Sequence, residues 1–146
     1  MAGMEFLGRH GIPLLAASGV AINLSDCSGV AFYGTNDNTY TLTLSKTFSG
    51  SYSQPSGWNP ITHYYTNADN GVGTGAWSDK VTQVASNVVT IATDIAVAIE
   101  LLVSMVPDGY QYVKCTASAP GDGVLIAVKH DLTVQRKPVN LMKISA

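Results

Sequence analysis

The run Tyr40-Thr-Leu42-Thr-Leu44-Ser-Lys46 alternates large apolar side chains with hydroxyls. Side chains on an extended strand point alternately to opposite faces, so Tyr40, Leu42 and Leu44 share one face and Thr41, Thr43 and Ser45 the other. That pattern suits a strand with one buried face and no helix. Weaker versions recur at Val20-Ala-Ile22-Asn-Leu24, Val30-Ala-Phe32-Tyr-Gly, Lys80-Val-Thr-Gln-Val-Ala, Val88-Val-Thr-Ile-Ala and Tyr110-Gln-Tyr112-Val-Lys-Cys115-Thr, and a last long strand is expected over 124–135. Turn signals separate them: Ser28-Gly29, Asn36-Asp37-Asn38, Ser86-Asn87, Pro107-Asp108-Gly109 and Ala119-Pro120-Gly121-Asp122-Gly123. The apolar stretch 94–106 is long enough for a helix. Its alternation of Ile95, Val97, Ile99, Leu101, Val103 and Met105 favours a buried strand. About eight short strands with turns between them predict an all-β fold, an antiparallel β-sandwich over residues 19–135.

The two ends read differently. Residues 1–18 carry Phe6, Leu7, Arg9 and His10, and Pro13 prevents a long helix. This lead can be a docking arm or a first strand, and it is assigned as an extended N-terminal arm. At the other end Arg136-Lys137-Pro138 closes the strand pattern, because proline cannot continue a ladder. Residues 136–146 then form a C-terminal arm whose Leu141, Met142 and Ile144 have no core of their own. Four of the eight basic residues, Lys129, Arg136, Lys137 and Lys143, fall in this region. A strap on a neighbouring subunit would bury the apolar side chains and pair the charges. A frayed, solvated terminus is the plainer alternative.

Only 12% of the 146 residues are charged, about half the usual share. A freely diffusing enzyme ordinarily keeps a more charged surface, so this composition suits a β protein packed against neighbours. The net charge of −2 does not favour nucleic acid. Glu5 stands where a secretory leader would be basic, and the longest apolar run carries Glu100. Synthesis as a soluble cytoplasmic chain without membrane insertion is therefore expected. Cys27 and Cys115 read as reduced, partly buried small hydrophobes, with a bridge possible only if their strands meet.

No constellation of residues specifies chemistry. Gly71-Val-Gly-Thr-Gly75 lacks the Lys-Ser/Thr ending of a phosphate loop and opens no helix. His130-Asp131 resembles two members of a triad, but strand neighbours are expected to point to opposite faces. His10, His63 and His130 are assigned to the surface or rim, and the scattered acids Asp26, Asp37, Asp69, Asp108 and Asp122 to turns. No catalytic residue, metal ligand or cofactor is expected.

Residues 47–79 lose the strand pattern, apart from a possible short strand at 61–66, and hold long loops at 49–59 and 68–78. Tyr52, Trp58, Tyr64, Tyr65 and Trp77 gather there among Asn, Asp and Gly. Three readings stay open: plugs for the ends of a small core, anchors of a protein interface, or a stacking platform for sugars.

The stretches DKVTQVASNVVTI at 79–91, PDGYQYVKCTAS at 107–118 and HDLTVQRKPVNL at 130–141 together resemble small virion proteins from the head modules of tailed bacteriophages. In that group a strand of the form gYxYVKv is followed by a glycine turn and an ending of the form HDLxVQRxPxNL. The resemblance covers 79–141, and 19–78 supplies no matching motif. It implies a β-sandwich or jelly-roll-like body and a non-enzymatic capsid decoration (cement) or minor head protein. Its partner would be the major capsid protein, its place the capsid exterior of the virion, after synthesis in the bacterial host. Self-association as a symmetric oligomer is expected. Contacts are expected at Phe6, Leu7 and Arg9 in the lead and at Arg136, Lys137, Asn140 and Leu141 in the tail. A phage tail or neck protein is the neighbouring alternative. A carbohydrate-binding module standing on Trp58 and Trp77 is the more distant one.

Overall fold

The structure, a computed structural model, describes residues 14–15, 19–36, 38–68, 75–78 and 80–132, and of 14–15 only the backbone. The run that alternates most cleanly becomes a strand over Asn38–Ser45, with Tyr40, Leu42 and Leu44 buried and Thr39, Thr41 and Thr43 facing outward; Ser45, expected to share that outward face, is instead buried, its hydroxyl donating to Thr47 O at 2.8 Å. Ten strands form among the described residues. They are β1 (Leu14–Leu15), β2 (Ile22–Asn23), β3 (Gly29–Thr35), β4 (Asn38–Ser45), β5 (Ile61–Asn67), β6 (Val81–Ser86), β7 (Val88–Ile91), β8 (Ala96–Leu102), β9 (Tyr112–Ala117) and β10 (Leu125–His130). All pairings are antiparallel.

They assemble as a six-stranded sheet, β1-β10-β3-β8-β5-β6, and a four-stranded sheet, β2-β9-β4-β7. With the β5–β6 hairpin set aside and the other eight strands counted in chain order, the two sheets read 1-8-3-6 and 2-7-4-5. First pairs with last, second with seventh, third with sixth and fourth with fifth. This is one long hairpin rolled onto itself, the topology of a jelly roll. The sandwich expected from the alternating runs is therefore present. The β5–β6 hairpin is an insertion at the tip of the roll that widens one sheet.

The two sheets close on a single core. Val30 and Phe32 of β3, Val97, Ile99 and Leu101 of β8, and Leu125 and Ala127 of β10 face Tyr40, Leu42 and Leu44 of β4, Val89 and Ile91 of β7, and Val113 and Cys115 of β9. Each large side chain of this set contributes about 1.5–3 kcal/mol by leaving water. Gly34 makes room for the largest of them, since an added Cβ there would overlap the Tyr40 ring, whose hydroxyl donates to the Thr35 carbonyl at 2.7 Å. The turns use the residues suited to them. Gly109 takes φ +85° with Tyr110 N donating to Pro107 O, and Asn36 takes φ +70°.

Three boundaries differ from the sequence reading. The lead assigned wholly to an arm contributes β1, because Leu14–Leu15 pairs with Ala127 and Ile126 of β10. The strand expected over 94–106 stops at Leu102 and gives way to a 3-10 turn, Val103–Met105, so the alternation fails and Met105 is exposed. The strand expected over 124–135 ends at His130, because Asp131 adopts φ +49°. Residues 133–135 lie outside the described residues.

Cys27 and Cys115 are both free and buried, as the reduced reading expected. Burial pushes the Cys27 thiol up to about 11, partly offset by the nearby Lys129 charge, and burial pushes Cys115 up to about 12, against an ordinary value of 9.0. Because these folded values lie above the unfolded one, the thiols are neutral in both states below pH 9. As pH rises past 9 the unfolded chain loses protons first, and each thiol then costs stability at about 1.4 kcal/mol per pH unit. Urea midpoints should accordingly be flat in this respect between pH 7 and 8.5 and fall from pH 9 to 11, and replacing both thiols by Ala should remove that part of the slope. A thiol reagent should label neither cysteine in the native protein and both in denaturant.

Candidate functional site: the outer faces of the two sheets

The sheets expose different chemistries. On the four-stranded sheet the outward positions include Asn23 of β2, Thr39, Thr41 and Thr43 of β4, Val88 and Thr90 of β7 and Tyr112, Lys114 and Thr116 of β9, with the exposed Phe48 ring edge-on to Tyr112 at 6.0 Å. Thr39 and Thr90 hydroxyls meet at 3.0 Å across the β4–β7 pair. This hydroxyl-rich surface is well matched to water.

The six-stranded sheet turns an apolar surface outward. Ile126 lies opposite Tyr33, Tyr33 opposite Ala98, and Ala98 opposite Tyr65, which makes a row across β10, β3, β8 and β5. The next row runs Val128, Ala31, Glu100. Tyr33 and Tyr65 are 43% and 41% exposed, so the two rings stand on the surface without being buried in it. His63 shares the face and meets the Tyr65 ring edge-on at 6.1 Å.

Glu100 is the one carboxylate within these rows, and it is paired. His130 lies opposite Gly29 across β3, and the missing side chain lets the imidazole cross the middle strand: a Cβ on Gly29 would fall 2.6 Å from the ring. His130 Nε2 reaches within 3.2 Å of Glu100 Oε1, and Nδ1 within 3.2 Å of Asp131 Oδ2. Nε2 is buried and makes no aligned hydrogen bond, so proximity rather than a directed bond joins it to Glu100. The expectation that His130 and Asp131 point apart therefore fails. The left-handed turn at Asp131 takes that residue off the strand and folds its carboxylate back onto the ring. His130 is half-buried in this network and not a free rim residue.

Lys129 also departs from its assigned role. It is 7% exposed, its ammonium bound to the Asp26 carboxylate, and so adds no free charge to a basic tail. Asp26, assigned to a turn, is the anion that permits this burial.

The loop aromatics do not form one cluster. Trp58 is 6% exposed and its Nε1 donates to the Met105 carbonyl at 2.8 Å, so it plugs the core. Tyr64 packs against the same core from β5. Tyr52 is half-buried, its hydroxyl donating to Phe48 O at 2.9 Å and its ring 4.1 Å beneath the Lys114 ammonium on the hydroxyl-rich side. Tyr65 stands on the apolar face. Trp77, 47% exposed, is bridged through its backbone to Asn67 at the end of β5. Sequence proximity placed these rings together; strand parity and a register shift between Ile61 and His63 separate them. Tyr33, Ile126 and Val128 went unnoticed as surface candidates because apolar residues on a strand read first as core. Pairing Tyr33 with its buried neighbour Phe32 shows that both faces of β3 are apolar, and that signal was available.

Phe6, Leu7, Arg9, Arg136, Lys137, Asn140 and Leu141 lie outside the described residues. Leu14 of β1 faces Ala127 in an antiparallel pair, so the chain enters β1 and leaves β10 through the same end of the six-stranded sheet. Among the described residues no group of three or more His, Cys, Asp or Glu side chains is arranged to hold a metal ion. The chain matches no protein-family model, no curated protein and no solved structure.

Two outcomes test this assignment. Trp58→Ala should cost about 3–5 kcal/mol in urea unfolding, as for a buried aromatic, while Trp77→Ala should stay within about 0.5 kcal/mol. Asp26→Ala should cost about 3 kcal/mol by leaving the Lys129 ammonium buried and unpaired, and Lys129→Met should cost less because it removes that charge. Equal losses in the second pair would show that the ion pair does not hold Lys129 in place.

Proposed function

We propose that the protein is a non-enzymatic structural protein of a phage particle, a decoration protein that binds the outer surface of the capsid and stabilises contacts between capsomers. The observation that carries the reading is the difference between the two sheet faces. A freely soluble jelly roll has no use for a row of Ile126, Tyr33, Ala98 and Tyr65 facing water, whereas a shell-bound one can bury it. Tyrosine is also favoured at protein interfaces, since a ring offers area at little entropic cost.

Three further features agree. The resemblance at 79–141 implies this class. The jelly roll is a common fold of viral coat proteins, although it serves lectins and other binding proteins as well, so it raises the reading without deciding it. The chain enters β1 and leaves β10 at one end of the six-stranded sheet, a layout that would let the arms expected over 1–18 and 136–146 act beside the apolar face. On this reading the face seats the protein on the major capsid protein and the arms tie it to neighbouring subunits. A tail or neck location would use the same surfaces. The sugar-platform alternative loses one of its two supports, because Trp58 is inside the core.

Capsids assembled without the protein provide the test. The purified full chain should cosediment with them to saturation. Tyr33→Asp together with Tyr65→Asp should weaken binding by a factor of ten or more, about 1.4 kcal/mol per tenfold, while the unfolding midpoint changes little. Removal of 136–146 should weaken it separately. Undiminished binding by the double variant would remove the apolar face from the account. Failure of the unaltered protein to bind any such shell would remove the decoration role.

A further inference from the structure

We propose that the patch where the loop after β4 folds against β9, on the four-stranded sheet, binds a carboxylated polysaccharide. Its sugar rings stack on Phe48, and its carboxylates pair with Lys46 and Lys114. The inference does not rest on the capsid reading, because the free chain meets the ligand in solution.

Two segments build the patch. After Ser45 the chain leaves β4 and returns at Ser53, which exchanges backbone hydrogen bonds with Leu44 at 2.9 and 3.1 Å. The loop between them is closed by the Tyr52 hydroxyl, which donates to Phe48 O at 2.9 Å. It lays the Tyr52 ring 4.1 Å from the Lys114 ammonium of β9 and the Phe48 ring edge-on to Tyr112 at 6.0 Å. At its start the Lys46 ammonium stands 5.5 Å from the centre of the Tyr110 ring, next to the bond from Gln111 N to Ser45 O. Two cations and four rings therefore share one corner of the sheet.

Both lysines keep their charge for a ligand. Lys129 is sealed by Asp26, but among the described residues no carboxylate pairs with Lys46 or Lys114. A ring holds an ammonium in place without neutralising it. Phe48 is 46% exposed, an apolar plate left open between the two cations' rings.

The surroundings select among anions. Nucleic acid calls for a row of cations along its backbone, which two lysines on a chain of net charge −2 do not supply. An extended peptide docks by pairing with an open strand edge, and β4 and β9 are each paired on both sides. A sugar acid needs neither. Its ring packs on an aromatic face, its carboxylate meets an ammonium, and its hydroxyls find others in kind, since Thr43 lies opposite Lys114 and Thr41 opposite Thr116 on the same face. On the capsid reading this sheet is the one turned away from the shell, where such a polymer is within reach.

Titration of the full chain with polygalacturonate should show saturable binding that weakens as salt is added. Lys46→Gln together with Lys114→Gln should weaken it by about tenfold or more, and Phe48→Ser separately by a similar factor. None of the three residues belongs to the core, so the unfolding midpoints should stay close to that of the unaltered chain. Dextran, poly-glutamate and oligo-dT supply the sugar ring, the carboxylates and a stacking polyanion one at a time, and each should bind at least about tenfold more weakly than polygalacturonate. Absence of polygalacturonate binding, equal or tighter binding of any of the three comparison polymers, or binding indifferent to either variant would overturn the proposal.

Discussion

The nested pairing of strands is the constraint from which the rest of the structure follows. β1 needs β10, β2 needs β9 and β3 needs β8, so most contacts join residues far apart in the chain. Loop closure must precede most of the stabilising burial, and the rolled hairpin is a topology that folds slowly for that reason. The same nesting determines where the ends lie. A hairpin begins and finishes at its open end, so the chain enters and leaves along neighbouring strands at one edge of one sheet. Its closed end, between β4 and β7, is where an insertion does least harm, and the β5–β6 hairpin occupies it.

Much of this was legible from residue order, and the failures have identifiable causes. The β4 run told its inward from its outward side chains because its two faces differ in kind, apolar against hydroxyl. The fold class followed from many such runs between turns. Strand ends were less legible. Apolar residues continue past Leu102 in the sequence, but the chain tightens into a 3-10 turn whose Met105 carbonyl receives the Trp58 indole, a contact between segments 47 residues apart. At the same end of the sheet, on β10, nothing in the residues after His130 announces a left-handed Asp131. The pairing of β1 with β10 depends on a partner more than a hundred positions away.

The candidate surface was missed for a different reason. Periodicity marks one face as buried and assumes that the other is wet. On β3, Phe32 is in the core while Ala31 and Tyr33, on either side of it, face outward on an apolar surface. Hydrophobicity without alternation can mean a strand covered on both sides, and in this body the second cover is not part of the same chain's described residues. The loop aromatics misled in the converse way. Their closeness in sequence suggested one site, yet Trp58 and Tyr64 went inward, Tyr52 to one face and Tyr65 to the other.

Charge is placed to keep this apolar face usable. A lone carboxylate at Glu100 would hold water on the surface, but Gly29 opens a path by which His130 crosses a whole strand to stand beside it. Lys129, next along β10 and turned to the inner side opposite Val30, has its charge taken up by Asp26. The carboxylate of the outer rows therefore stands beside an imidazole whose other nitrogen lies 3.2 Å from Asp131 Oδ2, and not among apolar side chains alone. The chain enters β1 and leaves β10 at one border of this sheet, so segments that extend from either strand begin beside the face and not on the opposite sheet.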